Sequence, residues 1–321
     1  MTPRQQRSTG ELFDAAATGD RTALAKLLSL VERGGVDARE IGRLAAPLAG
    51  EAYTLGITGA PGSGKSTLTN ALVGHVRSTG AGVAVLAIDP SSPFSGGAIL
   101  GDRVRMQDHA TDPDVFIRSM ATRGHLGGLA LATPEAVRLL DALGHRLILI
   151  ETVGVGQVEV EVAGKADTTI VVVNPGWGDS VQANKAGLME VADIFVINKA
   201  DRAGTDETRR DLIQMLDLSA STEWRPPIVP TIATTGQGVS ELLEAVVAHR
   251  QHAASSGLLE RRRDARMHEE LTEIVTRRLR ERAEDLCGEA RWRELTDAVL
   301  ERRLDPWAAA EEMIGPAPGT R

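Results

Sequence analysis

The stretch Gly59-Ala60-Pro61-Gly62-Ser63-Gly64-Lys65-Ser66-Thr67 constrains the fold of this chain more than any other segment. It fits G-x-x-x-x-G-K-[ST], and it stands directly after the apolar run Tyr53 to Thr58 and directly before a helical pattern starting near Lys65. Strand, glycine-rich turn and helix in that order form a loop that wraps an anion. Gly59, Gly62 and Gly64 let the backbone curl with its N–H groups inward, and the following helix adds the partial positive charge of its N-terminus. Lys65 supplies a point charge for the β and γ phosphates, Ser66 a hydroxyl for magnesium, and Thr67 contacts to the α phosphate. Ala60, Pro61 and Ser63 complete the loop. The alternative, a glycine-rich turn with an incidental lysine, does not account for the strand before it and the helix after it.

Such a loop belongs to an open α/β sheet. From Tyr53 to His249 the runs YTLGIT, VAVLAI, VFIRS, RLILIE, TTIVVV, DIFVIN and PPIVPTI alternate with helical segments, which predicts a mostly parallel sheet covered on both faces. The expected organisation is an N-terminal helical extension over residues 1–50, a P-loop domain over 51–250, and a C-terminal helical region over 257–321. In the extension Leu24, Leu27, Leu28 and Val31 share one helix face and Gly34-Gly35 ends it. A loop near Gln251 to Gly257 leads into the C-terminal region. There Met267, Leu271, Ile274, Val275, Leu279, Ala283 and Leu286 make an apolar stripe, which either packs on the P-loop domain or pairs, as an arm, with a second copy.

Composition narrows the classes of partner. Aromatics are only 3% of the 321 residues, so the core must be built from Ala, Val, Leu and Ile, and the net charge of -8 leaves no global basic field for nucleic acid or an anionic membrane. Arg261-Arg262-Arg263 sits among acids and reads as a solvated helix face. Cys287 is the sole cysteine, which excludes an intrachain disulfide. With no signal-type apolar segment at the N-terminus, the expected location is cytoplasmic, without a membrane span.

The choice of base falls to Asn198-Lys199-Ala200-Asp201, at the end of a later strand. A carboxylate at Asp201 accepts from both N1–H and the exocyclic amine of guanine, whereas adenine has no N1–H. Such charge-assisted bonds are worth roughly 1.5 to 3 kcal/mol each. Asn198 would brace the loop and the stem of Lys199 would lie along the ring. The bland reading of Asp201 is a helix cap. The loop Thr231 to Gly236, with Ala233, Thr234 and Thr235, is placed to close over the base with backbone N–H groups. For magnesium, Asp89, Asp102 and Glu151 join Ser66 as oxygen ligands, although each acid alone could cap a helix or sit in solvent. Glu151-Thr-Val-Gly154 has the form of a Walker B strand running into a glycine that senses a γ phosphate, and Gln157 could orient the attacking water. His249 and His252, at i and i+3 on a helix end, read as solvated in preference to metal-bound.

Taken together, Gly59 to Thr67, the long segment Asp89 to Met106, Glu151 to Gln157 and Asn198 to Asp201 resemble the MeaB/ArgK group of GTPases. Their Glu-Thr-x-Gly replaces the Asp-x-x-Gly of Ras-like proteins, as Glu151 does here. The resemblance spans nearly the whole chain. It implies a GTP- and GDP-binding chaperone of adenosylcobalamin-dependent methylmalonyl-CoA mutase, which guards cofactor loading and helps remove damaged cofactor as a homodimer joined through C-terminal helices. It also implies mobile segments around Asp89 to Gln107, Gly154 to Glu161, and Asn174 to Lys185 with Trp177, Asp179, Gln182 and Lys185. Trp177, between two glycines, could equally be a packing anchor. Two rivals remain: a metallochaperone GTPase for a nickel enzyme, which usually carries His-rich tracts or Cys pairs, and a P-loop kinase of a small molecule or transport protein, which seldom carries Asn-Lys-x-Asp.

Overall fold

The computed structural model describes residues 7–89, 109, 111–121, 126–152, 165–176, 190–218 and 223–315, with backbone alone at 89, 121 and 126–131. Asp102, Gly154, Gln157, Trp177, Asp179, Gln182 and Lys185 lie outside these residues. So does the side chain of Asp89, and so do most of the three segments expected to move.

Seven parallel strands form one sheet: β1 (Tyr53–Gly59), β2 (Val83–Asp89), β3 (Val115–Ala121), β4 (Leu147–Thr152), β5 (Thr168–Val173), β6 (Ile194–Asn198) and β7 (Ile228–Thr231). Their order is β3-β2-β4-β1-β5-β6-β7. After β1 the chain moves to one side of the sheet, and after β5 to the other, so the crevice between the C-terminal ends of β1 and β5 is the topological switch point where ligands bind in such sheets.

Both faces are buried, which is why the strand runs are continuously apolar. On one face Ala84, Leu86, Ile88, Ile148 and Ile150 pack under α1 (Thr9–Ala17), α2 (Arg21–Arg33), α3 (Gly35–Ala45) and α5 (Leu126–Ala142). The other face, with Leu55, Ile57, Val83, Val85, Ile170, Val172, Ile194 and Val196, is covered by α4 (Lys65–Ser78) and α7 (Val239–Ser255). Val171, Val173, Phe195 and Ile197 pack with Leu212 of α6 (Thr205–Leu218). The N-terminal stripe behaves as expected: Leu24, Leu27, Leu28 and Val31 are buried in α2, and Gly34, at φ 74, ends it. Side chains such as Leu27 and Leu28 each contribute roughly 1.5 to 3 kcal/mol of transfer free energy.

The chain divides into two compact units, Met1–Asp264 and Ala265–Arg321, and the N-terminal helices belong to the same unit as the sheet. Helix α8 (Leu258–Cys287) starts in the first unit, and α9 (Glu289–Leu300) and α10 (Pro306–Ile314) lie in the second. No helix among the described residues is long and apolar enough to cross a membrane.

Three expectations need correction. Gln251 to Ser255 is not a loop but the last turn of α7, because Ala253 is an apolar face position buried against the core; only Ser256 and Gly257, at φ 69, separate α7 from α8. His249 is not solvated: it is wholly buried, with Nδ1 2.6 Å from Thr168 Oγ1 and Nε2 3.2 Å from Asp193 Oδ1, and Trp224 packs on the rings of both His249 and His252. Nor is the arginine triplet a solvated face. Arg262 and Arg263 pair with the buried carboxylates of Asp193 and Asp167, and only Arg261 stands in solvent.

Candidate functional site: a nucleotide pocket at the switch point

The glycine-rich loop closes β1 at the switch point. Gly59 takes φ 140, and a Cβ built there would lie 2.0 Å from the backbone oxygen of Val172 on β5, its register partner. Only glycine allows β1 and β5 to stay paired up to the turn. Gly62 and Gly64 take φ 71 and 93, and Gly64, in the left-handed region, is the N-cap of α4. The helix therefore points its free N–H groups into the loop. Lys65 opens the helix and is buried, and its Nζ donates to the carbonyl oxygens of Gly59 and Ala60 at 2.8 and 3.1 Å. Ser66 is buried beside it, while Pro61 and Thr67 are exposed.

Glu151 is the penultimate residue of β4, flanked by Ile57 on β1 and Ala87 on β2. It is fully buried, and its Oε1 accepts from Ser66 Oγ at 2.6 Å. Two hard oxygens, a hydroxyl and a carboxylate, thus meet under the loop, a donor pair suited to magnesium. Asp89 ends β2, the strand on the other side of Glu151 from β1.

The second half of the site is built on β6. Asn198 is its last residue, and its amide joins two loops: Nδ2 donates to Ser63 O at 2.9 Å, while Oδ1 accepts from Ala233 N at 3.1 Å and from Thr231 Oγ1 at 3.2 Å. The contact with the P-loop is close enough that a Cβ on Gly64 would lie 2.3 Å from Asn198 Nδ2. Lys199 adopts φ 60, rare for a residue with a Cβ, and its Nζ donates to Gly62 O at 2.6 Å. The turn is fixed by Ala200 N to Thr231 O at 3.0 Å and Arg202 N to Lys199 O at 3.0 Å, and it leaves Asp201 exposed at its tip.

The loop after β7 departs from expectation in one respect. Two of its backbone N–H groups bond within the protein: Ala233 N donates to Asn198 Oδ1, and Thr235 N donates to Ile232 O at 3.0 Å. Ala233 is buried as a brace, and Thr234 and Thr235 are exposed beside it. The start of the third segment expected to move is tied down, since Gly176 N donates to Thr208 Oγ1 of α6 at 3.2 Å.

The P-loop, Glu151 and the Asn198 turn thus converge on one crevice, and they do so within a stretch matched over residues 24–286 by the family model described as methylmalonyl-CoA mutase-associated GTPase MeaB. The chain belongs to the MeaB family and is a GTPase. Among the relatives of this MeaB-family GTPase, a Pyrococcus abyssi protein named only as a GTPase is 50% identical over 308 residues, 95% of each chain. GTPase ArgK of Escherichia coli is 38% identical over 253 residues, 75% of this chain and 76% of its own. A mouse protein named methylmalonic aciduria type A homolog, mitochondrial, is 33% identical over 82% of this chain and 68% of its own. A crystal structure of an LAO/AO transport system kinase superposes with a TM-score of 0.70 at 26% identity, covering 95% of this chain and 96% of that one.

What sequence reasoning missed lies at the opposite edge of the sheet. Asp167 and Asp193 directly precede β5 and β6 and are 1% and 3% exposed. Burial by itself would raise the pKa of Asp193, but His249 and Arg262 outweigh it and hold the carboxyl below its ordinary value. The one signal in the sequence was an acid immediately before each apolar run.

Proposed function

We propose that this GTPase is a guanine-nucleotide switch acting on an adenosylcobalamin-dependent methylmalonyl-CoA mutase, gating cofactor loading and protecting or reactivating the mutase. The observation that carries this reading is the family match over residues 24–286, whose description names a methylmalonyl-CoA mutase-associated GTPase.

Within that reading Gly59 to Thr67 bind the phosphates, and Lys65 turns from the loop carbonyls to the β and γ phosphates. Asp201 accepts the two guanine donors, with Asn198 and Lys199 holding the turn to the P-loop. Thr234 and Thr235 flank the base, and Ala233 acts through Asn198. Ser66 and Glu151 fit magnesium, with Asp89 and Asp102 as further ligands; the ion when bound neutralises phosphate charge. Glu151, and Gly154 and Gln157 beyond it, couple the γ phosphate to the attacking water, while Trp177, Asp179, Gln182 and Lys185 respond to the nucleotide state.

The partner copy is assigned to α8. Met267, Leu271, Leu279 and Leu286 are 57%, 58%, 62% and 73% exposed along it, an apolar stripe that a second copy would cover. Sedimentation is expected to give a dimer for the wild type and a monomer for Leu271→Glu/Leu279→Glu; a variant that remains dimeric removes α8 from the interface.

The decisive measurement is single-turnover hydrolysis of γ-labelled GTP with and without the mutase. Alone, the protein should turn over at on the order of 0.0001 to 0.01 per second, the range of unassisted switch GTPases, and the mutase should raise that rate. All label should appear as inorganic phosphate, since transfer to any other acceptor would favour the kinase reading. If the two proteins neither associate nor change each other's kinetics in any nucleotide state, the mutase assignment is lost.

A further inference from the structure

Arg262 and Arg263 are successive residues of α8, and both reach the edge of the sheet opposite the nucleotide loops. Arg262 grips Asp193 with two parallel bonds, Nη2 to Oδ1 at 2.8 Å and Nη1 to Oδ2 at 2.9 Å. Arg263 holds Asp167 through Nη2 to Oδ2 at 2.7 Å and Nε to Oδ1 at 3.1 Å. Ion pairs at this depth lose much of their attraction to desolvation, so their value lies more in geometry than in stability. A bidentate fork fixes distance and angle together.

What the forks fix is the height of three strands. Asp193 Oδ2 also accepts Thr169 N of β5 at 2.9 Å, and Asp193 N donates to Thr169 O at 2.9 Å. Asp167 Oδ2 accepts Thr54 N of β1 at 3.1 Å. The other end of β1 is the P-loop, and the other end of β6 is the Asn198 turn that carries Asp201. From Asp193 to Asn198 the backbone spans about 16 Å at 3.3 Å per residue. β6 is therefore a short rod fixed at one end by Arg262 through Asp193 and at the other by Asn198 to Ser63 O, and a slip at the first end is delivered to the second.

Building on the reading of Asp201 as the guanine acceptor, we infer that Arg262 is a positioning residue for base recognition. It acts through Asp193 and β6 and touches no nucleotide.

The test is the preference for GDP over IDP, which lacks the exocyclic amine, measured calorimetrically. Both affinities scale alike with the folded fraction, so their ratio is blind to simple loss of stability. The wild type should prefer GDP about tenfold or more, and Arg262→Met should cut that preference at least about threefold. Arg262→Lys keeps the charge but loses the fork, and should fall between them. Arg118→Met, which breaks the pair with Glu32 between β3 and α2, should keep the wild-type preference. The inference is overturned if Arg262→Met, or Arg262→Lys should the first variant not fold, keeps the wild-type preference, or if Arg118→Met lowers it as much. Equal binding of GDP and IDP by the wild type would instead overturn the base reading of Asp201, and the inference with it.

Discussion

Asn198 shows how a short motif divides its labour. Its side chain bonds Ser63 on one side and Thr231 and Ala233 on the other, so it ties the P-loop to the loop after β7. Lys199 does likewise toward Gly62. Asp201 is the member left exposed, at the tip of a turn already fixed by its neighbours. Asp201→Asn should therefore leave the fold intact, weaken GTP at least about tenfold and improve XTP, because the amide offers a donor where xanthine has a second carbonyl. Competition calorimetry with the two nucleotides checks this, and an unchanged GTP affinity would take Asp201 out of the base site.

At the scale of elements, the P-loop depends on β1 and β5 staying paired to their last residues. Gly59 and Gly62, two glycines of the same loop, answer two different demands. A Cβ at Gly59 meets the Val172 carbonyl at 2.0 Å, whereas one at Gly62 meets nothing within 4 Å and suffers only from its φ of 71. Gly59→Ala should cost about 2 kcal/mol or more and weaken nucleotide binding, while Gly62→Ala should cost about 1 to 2 kcal/mol, since backbone strain is all it pays. Denaturant melts of both variants rank them, and equal costs would mean that β1 and β5 separate more easily than their pairing implies.

At the scale of the whole molecule, three acids among the described residues are held below the ordinary carboxylate value. Backbone bonds from α2 hold Asp20 low, the Arg77 guanidinium holds Asp112, and His249 with Arg262 overcomes the burial of Asp193. Folded values below unfolded ones mean stability that is present above the unfolded pKa and lost as pH falls through the folded ones. The thermal midpoint should change little from about pH 7 to 5 on account of these groups and fall below about pH 4. Asp193→Asn should flatten that acid limb, and an acid limb identical to the wild type's would show that Asp193 does not contribute to it.

The sequence by itself determined the local parts: the P-loop with the strand before it and the helix after it, the seven strand runs, the buried stripe of α2, and the Asn198 turn. Each rests on a run of neighbouring residues whose periodicity or glycine content leaves one conformation open. Only the tertiary structure decided what depends on partners far apart in the chain. Ser66 meets Glu151 across 85 positions, Asn198 meets Ser63 across 135, and Arg262 meets Asp193 across 69. The arginine triplet and His249 read as solvated because a charged or polar residue shows its burial only through the group that neutralises it, and strand order, which the local pattern does not encode, brings that group alongside.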